Sequence, residues 1–215
     1  MGPYETQPEA LQLAPVPGAS STAPRHTLNS LKWALLVPVV GVAGGALGQY
    51  PYGMWAGVPV ILAAAAAAAV VAGGAWHRAG AATIASFAAL ALPFFAGPAY
   101  YETYVKEFGD RVHAVVTDTG ERQGVKRTTK LAECRVVDES GTVQDLSQQQ
   151  NCDGQFTRGE HVVLYKDPLG ALDPWMDNVS GDRSPDAVTL GTTAGLFLVT
   201  GGALFYAGQR RRTGR

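Results

Sequence analysis

WALLVPVVGVAGGALGQYPYGMWAGVPVILAAAAAAAVVAGGAW, residues 33–76, runs for 44 positions without one ionisable side chain. A bilayer core of about 30 Å takes roughly 20 apolar residues per helix. The run is therefore long enough for two spans and the turn that must join them. Gln49, Tyr50, Pro51, Tyr52 and Gly53 at its middle supply that turn, being polar, aromatic or turn-forming. Helix one is read as Leu31–Gln49 and helix two as Trp55–Trp76, through the alanine block Ala63–Ala69.

Two more uncharged runs lie outward from this one, Ala79–Tyr101 and Ala187–Gln209, each of 23 residues. They are expected to form helix three, from Ala79 to about Tyr100 with Pro93 and Pro98 near its end, and helix four, Val188–Gly208. Only 16% of the 215 residues are charged, against about 25% in a soluble domain. A soluble single-domain enzyme is thereby excluded.

The fold class that follows is an α+β membrane protein. Four transmembrane helices carry a small extracytoplasmic β-sheet or partly open β-barrel between helices three and four. Residues 1–30, rich in Pro, Ala, Ser, Thr and Gln, read as a disordered cytoplasmic tail. Residues 31–100 hold helices one to three, 101–187 the β domain and its connector, 188–208 helix four, and 209–215 a basic cytoplasmic tail. A polar tail ahead of the first apolar run makes helix one an uncleaved anchor.

Lys and Arg close to the membrane favour the cytoplasmic side. Arg25 precedes helix one and Lys32 lies at its very start, Arg78 lies between helices two and three, and Arg210, Arg211, Arg212 and Arg215 end the chain. Four spans bring all of them to one face. The segment from Glu102 to Asp186 holds ten basic and sixteen acidic residues, whereas the rest of the chain holds seven and two. Both termini are expected in the cytoplasm of a cell whose plasma membrane is crossed four times. Trp33, Trp76 and Tyr206 then mark the inner boundary, and Tyr50, Tyr52, Trp55, Tyr100, Tyr101 and Tyr104 the outer one.

In the external segment, Tyr101, Tyr104, Val105 and Phe108 recur at helical spacing, so helix three continues about two turns before Gly109 and Asp110 stop it. Four β-branched stretches follow: Arg111–Thr117, Leu131–Val137, Thr142–Leu146 and His161–Tyr165, with Asp138–Gly141 as a hairpin turn. The two cysteines, Cys134 and Cys152, both fall here, and in an oxidising compartment they are expected to pair. Cys134 alternates with Ala132 and Val136 on the apolar face of its strand.

The run Arg158–Pro168, RGEHVVLYKDP, resembles the Gly-acid-x-Val-x-Val-x-Tyr-Asp-Pro ending of a large bacterial family of membrane proteins of unknown function. Its members place a small β domain beside or between transmembrane helices. Lys166 stands where that family usually has an aromatic residue. The Ala and Gly richness resembles proteins of high-GC actinobacteria. The resemblance implies a turn at Gly159, a buried final strand and an Asp-Pro stop, and it implies no activity.

Charged groups well inside the spans would point to transport or a proton relay, and beyond Lys32 at the start of helix one the spans contain none. Thr83, Ser86, Thr189, Thr192, Thr193 and Thr200 are expected to bond their own helix backbone. Gly41 with Gly45, Gly44 with Gly48, and Gly191 with Gly195 form GxxxG pairs. They are read first as intramolecular packing, with homo-oligomer contact as the alternative. A zinc site from Cys134, Cys152, His113 and His161 lacks the usual paired spacing. His113 and His161 are read as strand residues instead, and no metal or cofactor is expected.

Asp173, Asp177, Asp182 and Asp186 are read as a solvated linker. Arg122, Lys126, Arg127 and Lys130 are read first as a solvated hairpin tip, with a basic patch that meets anionic lipid or cell-wall polymer as the alternative. The expectation is thus a non-enzymatic membrane protein presenting an interaction domain to a protein, polymer or lipid partner, and not to nucleic acid. An accessory subunit of a transport or secretion assembly is the alternative, and an extracytoplasmic enzyme a weaker one.

Overall fold

A computed structural model describes residues 23–123, 130–181 and 183–210. Residues 1–22 of the expected tail, Lys126 and Arg127 of the basic patch, Asp182, and Arg211, Arg212 and Arg215 lie outside the described residues. The fold is α+β. Helices α1 (Ala23–Leu47), α2 (Met54–Ala69) and α3 (Ala79–Phe108) precede five strands, and α4 (Ala187–Gln209) follows them. Four helical stretches, Thr27–Leu47, Met54–Ala75, Ala79–Phe108 and Ala187–Gln209, are long and apolar enough to cross a membrane.

α1 begins at Ala23, eight residues before the expected start at Leu31. Composition alone marked Ala23–Ser30 as tail. Pro24, however, falls in the first turn, where its missing N–H has no helical partner to lose. Ser30 is fully buried, so this turn packs. α2 passes into a π-helical segment, Val70–Ala75, before the Trp76–Arg78 turn. α3 ends at Phe108, with Gly109 as its C-cap, where the aromatic spacing places it.

α1 and α3 form the central helix pair, flanked by α2 and α4. Their common core is mostly alanine, including Ala34, Ala68, Ala72, Ala85 and Ala89, closed by Trp76 and Leu204. Small residues let helices approach closely where lipid offers no hydrophobic drive to associate. The glycines of α1 serve this purpose within the chain. A Cβ on Gly45 would lie 2.8 Å from the Pro93 carbonyl oxygen and 3.1 Å from the Gly97 nitrogen of α3. A Cβ on Gly57 of α2 would meet the Gly44 oxygen at 2.7 Å. Gly191 and Gly195 of α4 face open space.

Gly45→Ala should therefore cost about 1–3 kcal/mol, because backbone rather than a pliable side chain is in the way. Gly191→Ala should change stability by less than about 0.5 kcal/mol. Unfolding midpoints of the two variants in detergent check the contrast.

Within the spans, Thr83, Thr193 and Thr200 donate to the carbonyl four residues earlier, at 3.0, 2.8 and 2.8 Å. Ser86 departs from that expectation and reaches the Ala65 carbonyl of α2 at 3.5 Å.

Strands β1 (Asp110–Gln123), β2 (Lys130–Asp138), β3 (Val143–Ser147), β4 (His161–Lys166) and β5 (Trp175–Asn178) form one open antiparallel sheet in the order β3-β2-β1-β4-β5. It is a sheet and not a partly closed barrel. β4 is buried on both faces, with Val162, Val163, Leu164 and Tyr165 at most 1% exposed. Val162 and Leu164 join Val116, Val136, Leu146, Phe156 and the two cysteines in one cluster. Val163 and Tyr165 pack with Tyr101, Val105 and Leu172 in a second cluster toward α3. Gly159 adopts φ +85°, and its N–H donates to the Val116 carbonyl at 2.7 Å, forming the expected turn. β4 is not the final strand, because β5 pairs with it through Leu164↔Met176 and Tyr165↔Trp175.

Candidate functional site

β1 and β2 outrun the rest of the sheet. β1 pairs with β4 only through Val115, and a bulge at Thr117 then resets its register with β2. Beyond the bulge, Asp118–Gln123 pair with β2 alone, so Lys130–Ala132 and their partners project as a two-stranded arm. Bulges increase local twist. A cleft of about 250 Å³ lies between this arm and the turn after β3, lined by Arg122, Leu131, Ala132, Glu133, Ser147, Gln148 and Gln149.

The turn that forms its other wall is held by local chemistry. Ser147 and Gln150 make a capping box around the short 3₁₀ turn Gln148–Gln150. The Ser147 N–H and hydroxyl both donate to Gln150 Oε1, at 2.9 and 2.5 Å. Asn151, at φ 69°, reverses the chain and donates to the Met176 carbonyl at 2.8 Å. Cys152 then closes the expected disulfide to Cys134, with Cα atoms 6.0 Å apart. Both cysteines are 1% exposed on the apolar face shared with Val136. They are thus unavailable as thiolate ligands for the weighed zinc site, and His113 and His161 are exposed strand residues.

The described part of the basic patch is charge-balanced rather than basic. Lys130 forms a 2.5 Å ion pair with Glu121, and Arg122 shares the cleft with Glu133. The single sequence lacked the cross-strand register that brings these acids alongside. Pockets for drug-sized ligands run about 300–1,000 Å³. This cleft suits something smaller, a peptide side chain or one sugar-sized polar group, with hydrogen-bonding amides on one wall and aliphatic carbon on the other.

The second cluster fixes the sheet to the bundle. Glu102 and Lys106 share one face of α3 at i, i+4 spacing and are both buried. Lys106 Nζ lies 2.8 Å from Glu102 and 2.9 Å from Asp177 of β5. It also donates to the Ser184 carbonyl at 3.2 Å. The Asp186 N–H donates to Glu102 at 3.2 Å, and the Asp186 carboxylate accepts from Val188 and Thr189 as the N-cap of α4. Thr189 and these amides hold the Asp186 carboxyl below its ordinary pKa.

Nearby, Tyr101 donates to the Asp173 carbonyl at 2.6 Å and Tyr104 to Asp167 at 3.2 Å. The expected solvated linker is therefore corrected at Asp177, an ion-pair partner, and at Asp186, a helix cap, while Asp173 accepts from Gln150 at 3.4 Å. Sequence reasoning reached the helical extension but not its role. The Glu102–Lys106 spacing was a usable signal, whereas the Asp177 partner is 71 positions away.

Lys166 ends β4, beside β1. Its ammonium pairs with Asp138 across β1. The Asp138 side chain is 1% exposed, and it also accepts from the Ser140 hydroxyl and the Ser140 and Thr142 amides. Lys166 foremost, then Ser140 and Thr142, hold this carboxyl well below the usual range against the opposing effect of burial. A group depressed in the folded state stabilises above its unfolded pKa and loses that contribution as pH falls through the folded value. The β domain should thus lose stability as pH drops below about 4, the ordinary aspartate value. Asp138→Asn should flatten that acid limb, as read by tryptophan fluorescence during acid titration.

Of the cations expected to set topology, the described Lys32, Arg78 and Arg210 lie toward the end of the bundle away from the sheet. Lys32 is exposed on α1, and Arg78 Nε in the turn before α3 donates to the Arg210 carbonyl after α4 at 2.5 Å. Comparison with protein-family models, curated proteins and solved structures finds no match to this chain.

Proposed function

We propose that the chain is a multi-pass plasma-membrane protein that holds a disulfide-stapled β domain outside the cell as a binding module, with both termini in the cytoplasm. The reading fits the resemblance to the bacterial membrane family with a small β domain. The observation that carries it is the cleft between the β1–β2 arm and the Ser147–Gln150 turn, preformed by the capping box and the disulfide. The domain bearing it is anchored through Lys106 and Tyr101, so a bound partner is held at a set height over the membrane. Its partner is a protein segment or wall polymer offering one small polar group to the cleft, and the module is not an enzyme.

A photocrosslinking residue at Gln149 of the full chain, in native membranes, should capture such a partner. The same residue at exposed Glu107 on α3 should not. Equal or absent capture at both positions overturns the binding role. Loss of a measurable hydrolytic activity on changing His113 or His161 would instead favour the enzyme. The open Gly191 and Gly195 face of α4 favours a second reading, an accessory subunit of a membrane assembly. A stoichiometric membrane partner crosslinked from position 195 and not from 149 selects it.

A further inference from the structure

At the end of the bundle opposite the β domain, three chain segments converge on a cavity of about 360 Å³ lined by His77, Arg78, Ala79, Gly80, Ala81 and Tyr206. Arg78, which lines this space, uses Nε to bond the Arg210 carbonyl, and that bond occupies one of its five guanidinium N–H donors. The Arg210 guanidinium lies over the Tyr206 ring, 5.5 Å from its centroid. No Asp or Glu occurs between residues 10 and 101 or after residue 186. Among the described residues, the two arginines therefore have no carboxylate at their own end of the helices. The other end differs, since Lys106 there sits between Glu102 and Asp177.

The backbone adds donors of the same sense. α3 has no side-chain cap at its start, and its first-turn N–H groups, those of Ala79, Gly80 and Ala81, lack helical acceptors. Away from the cavity mouth, the Tyr206 face of α4 continues one and two turns back as Gly202 and Val199. Both are exposed, and the space over Gly202 is open. A charged recess at the boundary thus leads into a shallow apolar track along the helix.

We propose that this recess binds the phosphate diester of an acidic phospholipid, Arg78 and Arg210 contacting the phosphate and one acyl chain lying along Gly202 and Val199. Guanidinium groups match phosphate oxygens in paired hydrogen bonds. Basic recesses between membrane helices are a recurrent headgroup site. A free phosphate would use the arginines but not the apolar track. The proposal rests on the membrane-spanning reading, but not on which compartment this end faces.

The test is native mass spectrometry of the full chain in neutral detergent, titrated with phosphatidylglycerol and with phosphatidylcholine of matched chains. Phosphatidylglycerol should be retained preferentially. Arg78→Gln and Arg210→Gln should each lower its retention about fivefold, the effect of one surface cation on acidic lipid. Arg210→Gln keeps the backbone carbonyl that Arg78 bonds, so its loss cannot be blamed on a displaced α4. Lys32→Gln should leave retention unchanged.

Equal retention of the two lipids, or an equal drop with Lys32→Gln, overturns the site. Displacement of the lipid by millimolar inorganic phosphate overturns it in favour of a free-anion site. A chain recovered in the aqueous phase without detergent overturns the membrane reading itself. One that needs detergent yet shows no headgroup preference sinks only the lipid site.

Discussion

Lys106→Met should destabilise the β domain by about 3–5 kcal/mol, the cost of removing one partner from a buried ionic group. The Lys106 and Glu102 side chains are 7% and 8% exposed, and Asp177 is 16% exposed. Without the ammonium, two largely buried carboxylates face each other with only backbone amides to serve them, that of Asp186 on Glu102 and that of Asn178 on Asp177. The loss reaches three elements at once, because Lys106 ties α3 to β5 and to the connector that starts α4. Limited proteolysis should then cut the connector between Asn178 and Asp186 in the variant and spare it in the parent chain. Removing the charges together tests whether attraction or mere shape matters. A triple variant Glu102→Gln, Lys106→Met, Asp177→Asn should recover most of the loss, since buried ion pairs replaced as a set are often near neutral. A triple variant as unstable as the single one would mean that the charges themselves hold the junction.

Those elements differ in how visible they are before folding. The four long helices are legible because an apolar run either has the length of a bilayer or does not. β1, β2 and β4 are legible because Val recurs along each, and β3 because Thr142 and Val143 lead into it after a turn. β5 is different. Trp175, Met176, Asp177 and Asn178 alternate nothing, follow Pro174, and become a strand only because β4 has a free edge beside them. Its existence depends on long-range pairing, and with it the ion-pair role of Asp177. The start of α1 was hidden for the opposite reason: Ala23–Ser30 is polar enough to read as tail, yet Ser30 buries against the end of α4 near Gly208.

The cleft was half legible. The arm that carries Arg122 and Lys130 shows as two strands with a basic tip, and Ser147-x-x-Gln150 is a readable capping box. What faces what across the strands is not readable, so the patch appeared more basic than Glu121 and Glu133 leave it.

Cys134→Ala, or Cys152→Ala, should cost about 3 kcal/mol, the chain-entropy value for a bridge closing a loop of this size. The bridge spans 18 positions. It pins the Ser147–Asn151 turn over a core that Ala114, Val116, Val136, Leu146 and Phe156 share with Val162, Leu164 and Met176. A domain this small has little else to offset that loss. Alanine is the cleaner change, because a serine hydroxyl at a 1% exposed site would add its own desolvation penalty.

The effect should be confined to the sheet. The helix core around Ala68, Trp76 and Leu204 shares no residue with the disulfide cluster, so the helical signal in detergent should melt at the parent temperature. Reductant offers an independent check. Both cysteines are buried, so dithiothreitol should leave the native fold intact at moderate temperature and act only once the sheet opens. It should then lower the unfolding midpoint of the parent chain to that of Cys134→Ala and leave the variant where it was. Rapid reduction of the folded parent chain would mean that the turn over the core opens far more often than its capping box and the Asn151 contact permit.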